Sequence, residues 1–212
     1  MSLKYLVTIL YQPRETMQRI LASAHRWSWE IAALACVCAS VNDINVDAAA
    51  KELPGLRLGP GLALVALGLI LGAIGWVISL YIVAWIATPV GRLLGGTGSV
   101  RDVRAALAWG LVPVIWSVVY RLPLTIFARN LHEGPQTDPR QLLMRFLSHG
   151  GCSVIVLYFF FQTLFAIASV VIGSFTVAEA QHFSTEKGFV NVVVAIVLPF
   201  LVIGAAVFTF TR

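Results

Sequence analysis

The chain has 212 residues, of which 58% are hydrophobic and only 12% are charged. A soluble chain normally carries about 25% charged and about 45–50% apolar residues. A soluble domain of this length could not remove so much apolar side-chain surface from water, because its surface-to-volume ratio is too high. The composition therefore excludes an ordinary water-soluble fold and predicts a membrane protein.

The net charge of +5 arises from 15 Lys and Arg residues against 10 Asp and Glu residues. The basic residues are scattered between apolar stretches, as in membrane proteins whose short loops carry Lys and Arg. This distribution argues against nucleic-acid binding. The lipid bilayer is the partner that the sequence predicts.

Residues 1–26 are predicted to form an N-terminal cytoplasmic or interfacial segment. Its first apolar stretch, Leu3–Leu10, is short and is followed by Pro13 instead of a small-residue cleavage site, so a cleavable signal peptide is not expected. A helix after Pro13 would gather its apolar side chains on one face. These side chains are Met17, Ile20, Leu21 and Ala24. The segment is either an amphipathic helix in the headgroup region or a plain lead-in to the first span.

Residues 27–212 are predicted to form the transmembrane domain, since a helical span needs about 20 predominantly apolar residues. The predicted spans cover residues 27–46, 62–87, 103–124, 142–172 and 189–210. The first span has a short apolar centre, Ile31–Val41, so a re-entrant or surface helix is its alternative. Trp27 and Trp29 beside Arg26 are typical of an aromatic and basic belt at one membrane interface. The sequence thus predicts an all-α membrane protein, a bundle of about five transmembrane helices with a short N-terminal amphipathic helix.

Several helix starts can be located from capping signals. Ser99 and Asp102 have the spacing of a capping box. Asp138 precedes a proline that suits the first helical position, and Ser184 or Thr185 could cap the last helix.

Small residues recur on the second span, at Gly68, Gly72 and Gly75. Such a stripe lets another helix approach closely in a membrane. The approaching helix could belong to the same bundle or to a second copy of the chain.

The chain shows no pattern of a catalytic, cofactor or metal site. The histidines and cysteines lack ligand spacing, and the centres of the predicted spans do not pair a nucleophile with a base. We therefore expect a protein that is not an enzyme and that binds no cofactor. Polar residues that could line a transport pathway are Arg121, Gln162 and Asn191. Pro113, Pro123 and Pro199 would kink the third and fifth spans, either to gate such a pathway or merely for packing.

The order of these features resembles the Yip (Ypt/Rab-interacting protein) membrane-domain family, and its bacterial members more closely than its eukaryotic ones. The resemblance rests on residues 13–21 (PRETMQRIL), 95–102 (GGTGSVRD), 108–113 (AWGLVP) and 183–188 (FSTEKG). It covers nearly the whole chain. The motif residues singled out are Pro13, Arg14, Glu15, Gly98, Trp109, Pro113 and Gly188.

This resemblance implies a five-helix transmembrane bundle with a cytoplasmic N-terminus and a non-enzymatic role. Eukaryotic members associate with Rab-type GTPases and shape early secretory membranes. The present chain lacks their long N-terminal extension and their Asp-Leu-Tyr-Gly-Pro string, so Rab-type GTPase binding is not expected here.

Two functions are compatible with the sequence. The first is a non-catalytic integral membrane protein that organises or binds membrane partners, with another membrane protein or a second copy as its partner. The second is a transport-class bundle, that is, a channel, a carrier or a lipid-moving protein. We expect a multi-pass protein of the bacterial cytoplasmic (inner) membrane, with its N-terminus in the cytoplasm because the first segment is rich in basic residues.

Overall fold

A computed structural model describes residues 3–23, 26–40, 58–124 and 151–210, and all regular secondary structure in these ranges is helical. The helices before the first long span are α1 (Leu3–Tyr11), α2 (Pro13–Ala22) and α3 (Ser28–Ala39). They are followed by α4 (Leu58–Leu93), α5 (Val100–Gly110), α6 (Val112–Trp116), α7 (Gly151–Gln181) and α8 (Thr185–Phe210). Residues 118–124, after α6, are helical as well.

Three stretches of the described chain are long and apolar enough to cross a membrane, namely Ala66–Leu93, Val100–Leu124 and Val156–Gln181. Together with the shorter apolar helix α3, they confirm the predicted all-α membrane fold. Residues 41–46 and 142–150 of the predicted spans lie outside the described residues, as does the predicted cap at Asp138.

The long helices extend beyond the predicted spans, because a helix does not have to end at the membrane surface. Helix α4 has 36 residues and is therefore about 54 Å long, against about 30 Å of hydrocarbon. It continues through Pro89, where the hydroxyl of the neighbouring Thr88 donates to the Ala84 carbonyl oxygen at 2.7 Å. Helix α7 likewise continues past the predicted end at 172, and α8 begins before residue 189.

The third span is interrupted at Leu111, where α5 ends and α6 begins. Pro113 lies in the first turn of α6, where its missing N–H would have no helical partner in any case. A second irregular residue, Ser117, separates α6 from the helical residues 118–124. The third span is therefore interrupted beside Pro113, and Pro199 lies inside α8. The predicted kinks at these prolines and at Pro123 stay predictions.

Helices α1 and α2 pack against each other, and both pack against the bundle. Met17 and Ile20 of α2 are fully buried, while Arg14 and Gln18 are exposed. Helix α2 is therefore amphipathic, as the sequence predicts, and Ala24 of the predicted apolar face lies outside the described residues. The apolar face of α2 binds protein, because it joins the same buried cluster as Trp109.

Helix α5 lies at the centre of the described bundle, in contact with α3, α4 and α7, and α7 also packs along α8. The start of α3 and residues 94–99 and 182–184 lie together at one end of this bundle, which we call the loop end. Arg26 binds Asp102 there, and Lys187 donates to the Leu94 carbonyl oxygen at 2.8 Å. Most of the motif residues predicted from the sequence lie at or near the loop end.

Candidate functional site

Helix α4 ends at the loop end in a Schellman motif. The N–H of Gly96 donates to the Gly91 carbonyl oxygen at 2.8 Å, and the N–H of Gly95 donates to the Arg92 carbonyl oxygen at 3.0 Å. Gly95 has a φ of 90°, a conformation that a side chain disfavours. The glycine-rich string at 95–98 thus turns the chain sharply from α4 toward α5.

The turn after α4 is fixed to the C-terminal end of α7. The backbone N–H of Gly98 donates to the side-chain Oε1 of Gln181 at 3.2 Å, and Thr97 N–H donates to the Gln181 carbonyl oxygen at 3.0 Å. A Cβ on Gly98 would overlap the Ala180 carbonyl oxygen. The motif glycine at 98 is therefore required by close backbone contact between two helices that are remote in sequence.

Helix α5 begins with the capping box that its spacing predicts. The N–H of Asp102 donates to Ser99 Oγ at 3.2 Å, while the Asp102 carboxylate accepts from both the hydroxyl and the backbone N–H of Ser99. The same carboxylate forms an ion pair with Arg26. The capping box thus also ties the residue before α3 to the start of α5.

Trp109 is fully buried at the centre of the bundle. Its indole Nε1 donates to the Arg26 carbonyl oxygen at 3.0 Å, and its ring meets Tyr5 edge-on with ring centroids 6.4 Å apart. A buried indole needs such a hydrogen-bond acceptor, since an unpaired N–H is costly. Trp109 therefore joins α1, the segment before α3 and α5.

The N-terminal motif fixes α2 to the bundle through polar contacts. Pro13 occupies the first turn of α2, and Arg14 donates to the Thr185 hydroxyl at 2.7 Å. Gln18 donates to Glu179 at 2.8 Å. Glu15, in contrast, lies on the solvent side, in an exposed i,i+4 ion pair with Arg19 at 3.9 Å.

Two close helix contacts depend on glycines whose role the sequence did not reveal. A Cβ on Gly110 of α5 would lie 2.8 Å from the Gly173 Cα of α7. Gly188 of α8, which belongs to a motif, faces the Ser174 carbonyl oxygen and Ala178 of α7. Ala106 and Gly110 have small-residue spacing, but this spacing does not identify the partner helix, which follows only from the three-dimensional pairing of the helices.

The predicted glycine stripe of α4 approaches another described helix at one position. A Cβ on Gly72 would lie 3.4 Å from Cys36 Sγ of α3. At Gly68 and Gly75, no heavy atom of the described residues lies within 4 Å. Gly72 thus has an intramolecular neighbour, and the stripe as a whole stays a prediction.

Two of the three predicted pathway residues come together. Arg121 is only 7% exposed, and its guanidinium donates to Gln162 Oε1 at 2.5 Å and to the Ala39 carbonyl oxygen at 2.6 Å. The Tyr120 hydroxyl donates to the same Gln162 oxygen at 2.7 Å. This arginine cluster joins the C-terminal end of α3, the third span and α7.

The third predicted residue, Asn191, lies elsewhere, and its side chain and that of Gln181, together called the amide pair, approach the same glycine without a hydrogen bond between them. Both side chains are fully buried beside Gly91. Neither the Asn191 amide nor Gln181 Nε2 has a hydrogen-bond partner among the described residues. Gln181 is about 28 Å along α7 from Gln162, at 1.5 Å per residue, so the amide pair and the arginine cluster are separate polar sites.

The described residues contain no group of three or more His, Cys, Asp and Glu side chains that could hold a metal ion. The polar groups of the loop end and of the arginine cluster form hydrogen bonds between different helices or helix ends.

Comparison with family models matches residues 7–207 to the model described as Yip1 domain. Searches of curated proteins and of solved structures find no match. The family match includes all of the motif residues named above and all three predicted pathway residues.

Proposed function

Because the chain belongs to the Yip1-domain family, we propose that it is a multi-pass integral membrane protein that binds or organises membrane partners and catalyses no reaction. Membrane shaping and trafficking-like processes are the proposed context. We place it in the bacterial cytoplasmic membrane, with the loop end and the N-terminus on the cytoplasmic side. The partner is another membrane protein or a second copy of this chain.

The proposal is supported by the contacts that the motif residues make between helices. Gly98 and Gly188 contact α7, Arg14 contacts the start of α8, and Trp109 contacts the Arg26 carbonyl oxygen and Tyr5. Together these contacts hold α2, α5, α7 and α8 in one arrangement. Because these contacts fix the loop end in one conformation, a partner can bind it with little loss of conformational entropy. The outer side of the loop end includes Leu93, which is 88% exposed.

Site-specific photocrosslinking from native membranes tests this proposal. A photoreactive phenylalanine analogue at Leu93 probes the loop end, and the same analogue at Trp85, which is 73% exposed on the same helix, is the matched control. We expect a discrete protein adduct from position 93 and lipid adducts alone from position 85. If position 93 yields no protein adduct, or the same adducts as position 85, the loop end is not the partner surface.

The arginine cluster favours the alternative, a transport-class protein, because ionisable groups buried at membrane depth often mark substrate pathways. Reconstituted vesicles distinguish the two functions. Ion or solute flux that is abolished by Arg121→Met would support transport. We expect no flux above that of empty vesicles, and no hydrolysis of lipid, peptide or nucleotide bonds.

A further inference from the structure

A small cavity of about 120 Å³ opens between the start of α3, the middle of α4 and the first turns of α5. Three guanidinium groups and three aromatic rings account for most of its lining. These residues are Arg26, Arg101, Arg104, Trp27, Trp29 and Tyr81. The cavity is far smaller than the roughly 300–1,000 Å³ pockets that enclose drug-sized ligands. It therefore suits a compact charged group that belongs to a molecule lying mostly outside.

The arginines are held in place by contacts that leave donors available. The Arg104 guanidinium lies over the Tyr81 ring, 4.2 Å from its centroid. Nε of Arg104 and Nε of Arg26 are buried without a hydrogen-bond partner among the described residues. Arg101 is exposed at the rim. The three guanidinium groups line the cavity, so an oxyanion that enters it would meet positively charged donors.

The charges around the cavity favour a singly charged anion. Glu30 also lines it, and Asp102 forms the ion pair with Arg26. Three guanidinium groups against these two carboxylates leave one positive charge in excess. A phosphodiester carries one negative charge, and guanidinium groups bind phosphate oxygens in pairs of parallel hydrogen bonds.

The backbone beside the cavity is strained and braced. Trp27 has a φ of 52°, which is rare for an aromatic residue. The preceding carbonyl, that of Arg26, accepts the indole hydrogen bond of the buried Trp109. Strain held by surrounding contacts is often found at ligand clamps. The motif tryptophan thus positions both Arg26 and Trp27 at the cavity.

The surface next to the cavity is apolar. On α4, Ile78 and Trp85 lie one turn to either side of Tyr81 on the same helix face, and they are 53% and 73% exposed. Trp29, at the mouth of the cavity, is 56% exposed. Aromatic residues beside arginines are typical of the headgroup level of a membrane. An anion whose charged group enters the cavity can therefore extend hydrocarbon chains along α4.

We propose that this cavity binds the phosphodiester group of a membrane phospholipid, with the phosphate held by Arg101 and Arg104 and the acyl chains lying along α4 from Ile78 in the direction away from the loop end. The cavity borders the loop end, but the lipid proposal does not rest on the protein partner proposed there. It gives the bundle a preference for lipids that bear phosphate at this depth of the bilayer.

Titration of the delipidated full chain in detergent, followed by native mass spectrometry, tests the site. The probe is dioctanoyl phosphatidylglycerol, and the comparison ligands are dioctanoylglycerol, which lacks the phosphate, and inorganic phosphate, which lacks the chains. The variants are Arg101→Gln and Arg104→Gln. Arg19→Gln is the control, because Arg19 is an exposed arginine of α2 remote from the cavity. Thermal unfolding of each variant establishes that it is folded.

The original chain and Arg19→Gln are expected to bind the phospholipid alike, and each cavity variant is expected to bind it about tenfold more weakly. Dioctanoylglycerol and inorganic phosphate should each bind at least about tenfold more weakly than the phospholipid. Equal lipid affinity of Arg101→Gln and Arg19→Gln would overturn the site, even if Arg104→Gln did not fold. Inorganic phosphate that binds as tightly as the phospholipid would identify a free anion as the ligand and overturn the lipid assignment.

Discussion

The contact between Gly110 of α5 and Gly173 of α7 gives the sharpest test of how the bundle is held together. In Gly110→Ala, the new Cβ would lie 2.8 Å from the Gly173 Cα and 3.3 Å from its N. Carbon atoms prefer a separation of about 3.5–4.0 Å, so the helices must move apart by about 0.7 Å. Both partners are backbone atoms, and no side-chain rotation can relieve the overlap.

The separation also affects a hydrogen bond nearby. Thr176 Oγ1 of α7 donates to the Ala106 carbonyl oxygen of α5 at 2.9 Å. A movement of about 0.7 Å would stretch this bond to about 3.6 Å, beyond hydrogen-bonding distance. Overpacking costs about 1–3 kcal/mol, and a hydrogen bond between membrane helices contributes about 0.6 kcal/mol. The steric cost of Gly110→Ala is therefore about 2–4 kcal/mol of unfolding free energy.

Gly75→Ala is the matched control, because its new Cβ meets no described atom within 4 Å. Both variants gain roughly 0.5–1 kcal/mol of helix propensity, so this gain cancels in their difference. Unfolding in mixed micelles of mild detergent and dodecyl sulfate, followed by circular dichroism, measures the free energies. Unfolding free energies of the two variants that agree within about 0.5 kcal/mol would refute the claim that α5 and α7 meet backbone to backbone at Gly110.

Three further predictions concern the polar sites and the topology. Arg121→Met should lower the unfolding free energy by about 1–3 kcal/mol, because the Ala39 carbonyl oxygen loses its arginine donor and Gln162 Oε1 keeps only the Tyr120 hydroxyl. The same micelle titration measures it, with Arg121→Lys expected to lose less. Asn191→Leu should leave the unfolding free energy unchanged or raise it by about 1 kcal/mol, because the buried amide lacks a partner among the described residues. A clear decrease in the unfolding free energy would mean that the amide is hydrogen-bonded. Single cysteines at Ser23, Thr97 and Ser184, in a chain without its own cysteines, should react with an impermeant maleimide from the cytoplasmic side alone. Labelling of these positions from opposite sides would contradict the claim that they lie together at the loop end.

Features that depend on local sequence were predictable. The apolar spans follow from hydropathy, and the capping box follows from the spacing of Ser99 and Asp102, since both partners lie within one helical turn. The buried face of α2 follows from the 3.6-residue period, which places Met17 and Ile20 together. In each case the interacting residues are near neighbours in the chain.

Features that depend on which helices pair could not be predicted in this way. The sequence pointed to the stripe around Gly72, whereas α5 approaches α7 backbone to backbone at Gly110. The small residue one turn before Gly110, Ala106, does not identify the partner helix. The sequence predicted the basic and aromatic belt beside α3. That this belt lines one cavity with Tyr81 and Arg104 follows only once α4 and α5 are placed beside α3. Arg121 and Asn191 were grouped by chemistry, and the fold separates them because they belong to different helix ends.

The contacts at the loop end favour a membrane crossing by the segment that contains α3 over a re-entrant helix. Arg26 binds Asp102, so the residues before α3 and those at the start of α5 lie on the same side. A chain that leaves and returns to one side of a membrane crosses it an even number of times, and α4 supplies one crossing in the proposed multi-pass arrangement. That arrangement then requires a second crossing in the segment that contains α3, although α3 itself covers only about 18 Å. The last carbonyl groups of α3 then lie within the hydrocarbon, where no water is present to donate hydrogen bonds to them. Arg121 donates a hydrogen bond to one of these carbonyl groups, that of Ala39. Its positive charge also stabilises the negative, C-terminal end of the helix dipole.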